Sequence, residues 1–184
     1  MKELVIKKLH KTFAELSAEA IEAMADIAVA DMEKQQTVTV ATPAATTVYV
    51  DGSFITTTEV VGWGYLILND GKEIARNSGA SNDAGLAGIR NVAGELMAAM
   101  RGISHAVKLG SKDIVVMYDY EGIGAWADGK WRCKNEYTKK YAQYVAAMRK
   151  EINIEFKWTR GHSGDVYNGH VDNLARSAAR NFSC

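Results

Sequence analysis

Residues 48–54 have the sequence Val-Tyr-Val-Asp-Gly-Ser-Phe, in which an apolar run leads directly into a carboxylate. Valine and tyrosine favour strands, so the run predicts a buried strand of an α/β sheet. Asp51 would then occupy a buried position, where an isolated carboxylate is costly unless it is paired or bound to a metal ion. The stretch therefore predicts a strand of the core together with an acid that needs a cationic partner.

Three further acids lie in comparable surroundings. Asp119 ends the apolar run at residues 113–118, while Glu95 and Asp172 lie in helical patterns. If the two strands are adjacent and parallel, Asp51 and Asp119 meet near one edge of the sheet, where open α/β sheets place their sites. Helices that carry Glu95 and Asp172 can pack over that edge. Because clustered carboxylates raise one another's pKa values, the arrangement predicts a bound cation.

Such a cluster predicts a particular chemistry. Mg²⁺ prefers oxygen ligands, and two such ions can activate a water and stabilise the leaving oxygen of a phosphodiester. Taken singly, each acid has an ordinary explanation. Asp51 suits a turn, Asp119 suits a helix cap, and the other two suit solvated helix faces. Their joint occurrence favours a shared site, and so an enzyme that cuts nucleic acid.

The apolar periodicity after residue 47 predicts an α/β domain. An antiparallel meander comes first, closed by a hairpin turn at Asn69-Asp70-Gly71, and strands joined by helical crossovers follow. Residues 79–89 are rich in Gly, Ala and Asn and predict a loop. The predicted strands are 48–54, 60–68, 72–78, 113–118 and 152–158, and the predicted helices are 91–109, 121–127, 135–150 and 168–180.

The first 47 residues differ from the rest. Thr12 and Glu15 fit a capping box, and an apolar stripe at helical spacing predicts a helix within residues 1–34. Residues 35–47 are rich in Thr and Ala, carry no charge and contain the sole proline, Pro43, which predicts a linker or a short edge strand. The domains are therefore 1–34, 35–47 and 48–184. The N-terminal helix would either self-associate or pack on the core, and the sequence favours neither.

Composition narrows the class of protein. The 184 residues are 47% hydrophobic and 24% charged, as expected for a globular protein, and no apolar run approaches the length of a membrane span. The N-terminus shows no secretory signal pattern. Cys133 and Cys184 are far apart and form no CxxC motif, which argues against a disulfide framework or a zinc site. The expected compartment is a bacterial or phage cytoplasm.

For a nucleic-acid partner, the distribution of charge along the chain is more informative than the net charge of zero. Residues 124–160 carry nine Lys/Arg against four Asp/Glu, whereas residues 48–123 carry six against nine. The basic segment suits phosphate contacts and the acidic one suits metal ions. A solvated helix face is the simpler explanation of the basic segment.

Four motifs in order resemble type I ribonuclease H over about residues 48–180. They are DGS at 51–53, an acid in the first long helix, YD at 118–119, and GHxGxxxNxxxD at 161–172, the most specific of the four. The resemblance implies a ribonuclease H-like fold, a five-stranded mixed sheet flanked by helices. It also implies hydrolysis of the RNA strand of an RNA–DNA hybrid with Mg²⁺ or Mn²⁺, leaving a 3′-hydroxyl and a 5′-phosphate.

The resemblance also implies residue roles. The metal-binding carboxylates would be Asp51, Glu95, Asp119 and Asp172. His162 would assist proton movement and product release, although an ordinary loop histidine is the alternative. Contacts to the hybrid are implied at Asn91 and, near the catalytic loop, Asn168.

Further contacts with the hybrid follow from chemistry at the same positions. Gly52 and Ser53 are candidates for 2′-hydroxyl contacts, which let a protein tell RNA from DNA. Arg90 would meet a DNA phosphate or be a surface arginine at a helix start. Trp131, among basic residues 130–134, would form a hybrid-binding surface or anchor its own loop.

Two rival functions keep the same fold. A binding module would hold a hybrid without cutting it, and the complete set of four acids argues against this. A resolvase- or integrase-like nuclease would cut DNA, and the GHxG loop and Asn91 argue against that.

Overall fold

The computed structural model of the protein describes residues 46–160 and 165–183. The predictions for the N-terminal helix, most of the linker and the loop residue His162 lie outside these residues. The described elements are β1 (Thr46–Ile55), β2 (Val60–Asn69), β3 (Lys72–Ser81), α1 (Ala84–Ala87), α2 (Asn91–Lys108), β4 (Asp113–Tyr118), α3 (Gly122–Ala127), α4 (Glu136–Met148), β5 (Asn153–Trp158) and α5 (Val166–Arg180).

The strands form one mixed sheet in the order β3-β2-β1-β4-β5. β1 pairs antiparallel with β2, which pairs antiparallel with β3, while β1 with β4 and β4 with β5 are parallel. This confirms the predicted five-stranded mixed sheet. β1 is the central strand. Because β1 and β4 are parallel neighbours, their carboxyl ends lie side by side.

Helices cover both faces of the sheet. On one face, Val48 and Val50 of β1 pack with Ile103 of α2 and Tyr141 of α4 in the main core. On the other face, Tyr49 joins Leu66, Leu68 and Val171 of α5 in a smaller cluster. The alternation along β1 explains the division, because successive side chains point to opposite faces.

Glycines let the backbones of β1, β2 and the helices approach closely. A Cβ at Gly94 of α2 would lie 2.1 Å from the Gly62 carbonyl oxygen and 2.8 Å from the Gly52 Cα. On the opposite face, a Cβ at Gly62 would lie 2.1 Å from the Ala175 carbonyl oxygen. β2 is therefore held tightly between α2 and α5, and α2 is pressed against β1 beside Asp51.

The structure departs from the sequence prediction mainly at residues 79–89. β3 continues to Ser81 because its pairing with buried β2 extends that far. α1 follows, with the Asp83 Oδ1 accepting a hydrogen bond from the Gly85 N–H at 2.8 Å. α5 begins at Val166, two residues before the predicted start, because Asp165 caps it. In addition, β1 begins at Thr46, inside the predicted linker.

Among residues 46–160 and 165–183, no helix combines the length and apolarity that crossing a bilayer requires.

Two helix glycines provide a matched test of the packing. Gly94→Ala should lower the free energy of unfolding by about 2–3 kcal/mol, because the new methyl group overlaps β-sheet backbone. Gly169→Ala in α5 should be neutral or stabilising by up to about 1 kcal/mol, because nothing lies within 4 Å of the added carbon. Urea denaturation of both variants measures the difference. Equal effects would contradict the close approach.

Candidate active site

Three carboxylates meet where β1, α2 and β4 converge. Ligand oxygens of Asp51, Glu95 and Asp119 all lie within 4.8 Å of one another. The register explains the first pair: Tyr49 of β1 is level with Met117 of β4, so Asp51 and Asp119, each two residues on, lie side by side. The close contact of Gly94 with Gly52 brings the neighbouring Glu95 to the same point.

The buried carboxylates of the cluster have few hydrogen-bond partners to offset the cost of their burial. Asp51 is 8% exposed and Glu95 is 2% exposed. The Glu95 Oε2 is buried and accepts no hydrogen bond within the described part of the chain. A buried carboxylate oxygen without a donor is costly, and a hard cation that takes oxygen ligands would satisfy it. The donor set therefore fits a divalent cation.

The pKa values of the buried acids also fit a bound cation. Burial, followed by the charge of Asp119, raises the pKa of Asp51 to about 7, although the Gly52 N–H at 2.7 Å and Arg176 oppose the rise. Burial, followed by the charges of Asp51 and Asp119, raises the pKa of Glu95 to about 9. Without a cation, Glu95 is therefore protonated at neutral pH, and cation binding would release protons.

The fourth predicted acid stands apart from these three. Asp172 is not in the carboxylate group found among the described residues; it pairs instead with Arg176, one turn later on α5. The guanidinium of Arg176 also lowers the pKa of Asp51, which puts it within electrostatic reach of the cluster. Arg176 thus pairs with Asp172 and also interacts electrostatically with Asp51.

Asn168 supports the cluster from α5. Its side chain is buried, and its Nδ2 donates to the Asp119 Oδ2 at 3.4 Å. Its Oδ1 is buried without a partner among the described residues. Asn168 is one of the residues predicted to contact the hybrid, and in the structure its side chain contacts the carboxylate of Asp119.

Comparison with known proteins decides the family, since the model of the family described as RNase H matches residues 43–180, three quarters of the chain. The chain belongs to the ribonuclease H family. Ribonuclease H of Neorickettsia sennetsu is 28% identical over 149 residues, covering 74% of this chain and 93% of that protein. Ribonuclease H of Treponema pallidum is 24% identical over 155 residues, covering 74% and 92%.

Solved structures share the fold. The N-terminal RNase H domain of a Mycobacterium tuberculosis protein, a fusion with maltose-binding protein, has a TM-score of 0.64 at 21% identity, covering 74% of this chain and 94% of that one. LC11-RNase H1 in complex with an RNA/DNA hybrid has a TM-score of 0.62 at 19% identity, covering 73% and 96%.

In this ribonuclease H, the other residues predicted to contact the hybrid differ in their exposure and in the groups that they contact. Asn91, the exposed first residue of α2, hydrogen-bonds through its side chain to Glu95. Gly52 packs against the α2 backbone, whereas Ser53 is half-buried. Arg90 is exposed and has a φ of 52°, a strained backbone for a residue with a side chain. The α2 N-terminus therefore presents Arg90 and Asn91 together beside the acids.

Trp131 lies in an aromatic cluster farther from the acids. Its ring centroid is 5.8 Å from that of Trp126 and 6.4 Å from that of Tyr120. Trp131 is 39% exposed and lines a cavity of about 460 Å³ with Trp126 and several basic side chains, Lys130, Arg132 and Lys134. The ring of Trp131 packs against its neighbours and still faces solvent, so both the loop-anchor and the hybrid-binding explanation describe part of the geometry.

Sequence reasoning missed two residues of this ribonuclease H site. Arg176 pairs with Asp172 at the i,i+4 spacing that brings helix side chains together, and that spacing is visible in the sequence. Trp158 at the end of β5 donates from its Nε1 to the Asp119 carbonyl oxygen at 2.9 Å. This contact crosses between strands, so no local signal predicts it.

The buried acids should make the metal-free protein less stable as the pH rises. A carboxyl group whose pKa is raised on folding favours the folded state below its unfolded value, 4.5 for Glu95, and this contribution is lost as the pH rises towards about 9. At pH ~8 in EDTA, Glu95→Gln should therefore raise the free energy of unfolding by about 1–3 kcal/mol, roughly 3–10 °C in Tm. Thermal unfolding from acid to alkaline pH measures this.

The exposed residue Glu151 supplies the control. Glu151→Gln should leave the pH profile unchanged, and added Mg²⁺ should raise the Tm of the wild type more than that of Glu95→Gln. A wild-type stability that increases steadily with pH in EDTA would contradict the raised pKa of Glu95.

Proposed function

We propose that this ribonuclease H hydrolyses the RNA strand of RNA–DNA hybrids with a divalent cation, leaving 5′-phosphate and 3′-hydroxyl ends. The observation that carries the proposal is the group of three carboxylates, drawn from three separate elements of a ribonuclease H chain. The similar LC11-RNase H1 was solved in complex with an RNA/DNA hybrid, which supports the choice of substrate.

Asp51, Glu95 and Asp119 would hold the cation. The unpartnered Glu95 oxygen and the raised pKa values of Asp51 and Glu95 support this assignment. Asp172 would complete the set once its carboxylate leaves Arg176. Mg²⁺ suits an all-oxygen site, and Mn²⁺ would substitute. When bound, a pair of such cations supplies an activated water and stabilises the leaving 3′ oxygen of the phosphodiester.

The chain's own polar side chains would orient these groups. Asn168 donates to Asp119 from α5, and the Asn91 side chain donates to Glu95 along α2, so each fixes one carboxylate rotamer. Fixed rotamers lower the cost of assembling the site, because the ligands are already in position. His162 would move protons during hydrolysis and product release, a role suited to the ordinary pKa of a histidine.

Recognition of the hybrid would rest on two surfaces. Gly52, Ser53 and Asn91 border the carboxylates and would contact 2′-hydroxyl groups of the RNA strand. Arg90 would contact a phosphate of the DNA strand by charge, and Trp131 would form part of a hybrid-binding surface with its basic neighbours. The basic side chains beside Trp131 support a phosphate-binding role for that surface.

A substrate panel tests the proposal directly. An end-labelled RNA–DNA hybrid should be cut in its RNA strand with Mg²⁺ or Mn²⁺ and left intact in EDTA. Matched RNA duplex, DNA duplex and single-stranded RNA should survive, because each lacks the paired RNA and DNA strands that the two surfaces would hold. Gel analysis resolves the products. Cleavage of the DNA duplex would point to a DNA nuclease, and binding without cleavage would point to a binding module.

Two aspartates at opposite ends of β4 separate a catalytic effect from a structural one. Asp119→Asn should reduce hybrid cleavage to below about one hundredth of wild type, because it removes a ligand charge while preserving shape. Asp113→Asn should stay within about twofold, because Asp113 begins the strand and contacts only Asn153 in the hydrogen bonds described. Initial rates at saturating Mg²⁺ measure both, and equal rates would contradict the assignment.

A further inference from the structure

Trp158 combines an anchored edge with an exposed ring. It ends the outer strand β5 and is 55% exposed, against 39% for Trp131 and 8% for Trp63. Its indole N–H is nevertheless used, because Nε1 donates to the Asp119 carbonyl oxygen at 2.9 Å. The ring is therefore fixed beside the acid cluster with much of its surface open to solvent.

A cavity of about 620 Å³ opens next to this ring. Its lining includes Trp158, Asp119, Glu121 and Lys130, together with the small residues Gly124 and Ala125. Two acids and one lysine give a mixed polarity that suits a nucleobase, which offers both donors and acceptors on its edges. Two carboxylates make the cavity a poor phosphate site. We call this cavity the Trp158 pocket.

Lys130 connects the Trp158 pocket to the aromatic surface around Trp131. The same lysine lines both cavities, and its side chain is largely exposed, with an ion pair to Asp128 at 3.0 Å. Proteins that bind single-stranded nucleic acid combine aromatic rings, on which bases stack, with cations that contact the phosphates, and an exposed ammonium between two aromatic walls fits this pattern. The Trp158 pocket, which Asp119 lines, and the cavity beside Trp131 are therefore joined at Lys130.

We propose that the Trp158 pocket binds one unpaired base of a single-stranded RNA extension of the hybrid. This inference rests on the proposed function, because Asp119 belongs to the cluster where the RNA strand would be cut. The base must be unpaired, since bases within a duplex are stacked on their neighbours, whereas single-stranded bases can be splayed onto aromatic side chains. The pocket would favour hybrids that end in single-stranded RNA, such as a partly hybridised transcript.

Binding, measured apart from cleavage, tests the pocket. In EDTA, the full-length protein is titrated with a labelled blunt hybrid and with the same hybrid carrying a short 5′ or 3′ RNA extension. One of the two extensions should tighten binding at least about fivefold, the lower range expected for stacking one base on an aromatic ring. Equal affinities for the blunt and both extended hybrids would overturn the proposal.

Variants assign the effect to the ring. Trp158→Ala should abolish the gain from the extension, while Trp158→Phe should retain most of it, because phenylalanine keeps a stacking face and loses only the N–H donor. Ile74→Ala, which removes an exposed apolar side chain from the opposite edge strand β3, should leave the gain unchanged. A gain that survives Trp158→Ala would overturn the proposal.

A fluorescent base analogue in the RNA extension tests the pocket with the wild-type protein, so the result does not depend on whether a variant folds. 2-Aminopurine in the tighter-binding extension should lose fluorescence on binding at one position, and unchanged fluorescence at every position would overturn the proposal. Cleavage of the blunt hybrid with Mg²⁺ reports the proposed function separately. A protein that cuts the blunt hybrid but gains nothing from extensions would retain its function and lose the pocket.

Discussion

The structure depends on packing that overcomes the mutual repulsion of three carboxylates, two of them buried. Ligand oxygens of Asp51, Glu95 and Asp119 lie within 4.8 Å of one another, and burial holds Asp51 and Glu95 partly or wholly protonated at neutral pH. Parallel pairing of β1 with β4 and the close approach of α2 force this proximity. The free energy that the folded core supplies therefore maintains a site that is complete only when positive charge is added.

Arg176 shows how the chain handles the fourth acid. A further carboxylate at the cluster would raise the cost of ionising the other three, and Asp172 is instead neutralised on its own helix by Arg176. The same guanidinium lowers the pKa of Asp51, so a single arginine acts on two acids. A cation that binds Asp172 would have to compete with this ion pair. Arg176 therefore supplies positive charge to the site from the chain itself.

Sequence patterns predicted the sheet and a site of four acids because strands and their ends follow from periodicity and topology. The structure brings three of the four together, and Asp172 pairs with Arg176 instead. Apolar runs that end in Asp51 and Asp119 predict strands, and parallel neighbours must bring those ends together. The extension of β3 to Ser81 was missed because Gly79, Ala80 and Ser81 carry no strand preference, and pairing with buried β2 decided the outcome. Trp158 was missed because its partner is the backbone carbonyl of Asp119, just after β4, a contact that no spacing along the chain encodes.

Separation of charge within the domain reconciles a net charge of zero with a nucleic-acid substrate. The acids concentrate at the carboxyl ends of β1 and β4, where they would bind cations, and Lys130, Arg132 and Lys134 gather around the aromatic rings that follow α3. A phosphate backbone therefore meets positive charge at both places, from lysine and arginine at one and from bound cations at the other. Loss of the cations would remove the positive charge at the acid cluster, and for that reason substrate binding at the cluster and cation binding are expected to be coupled.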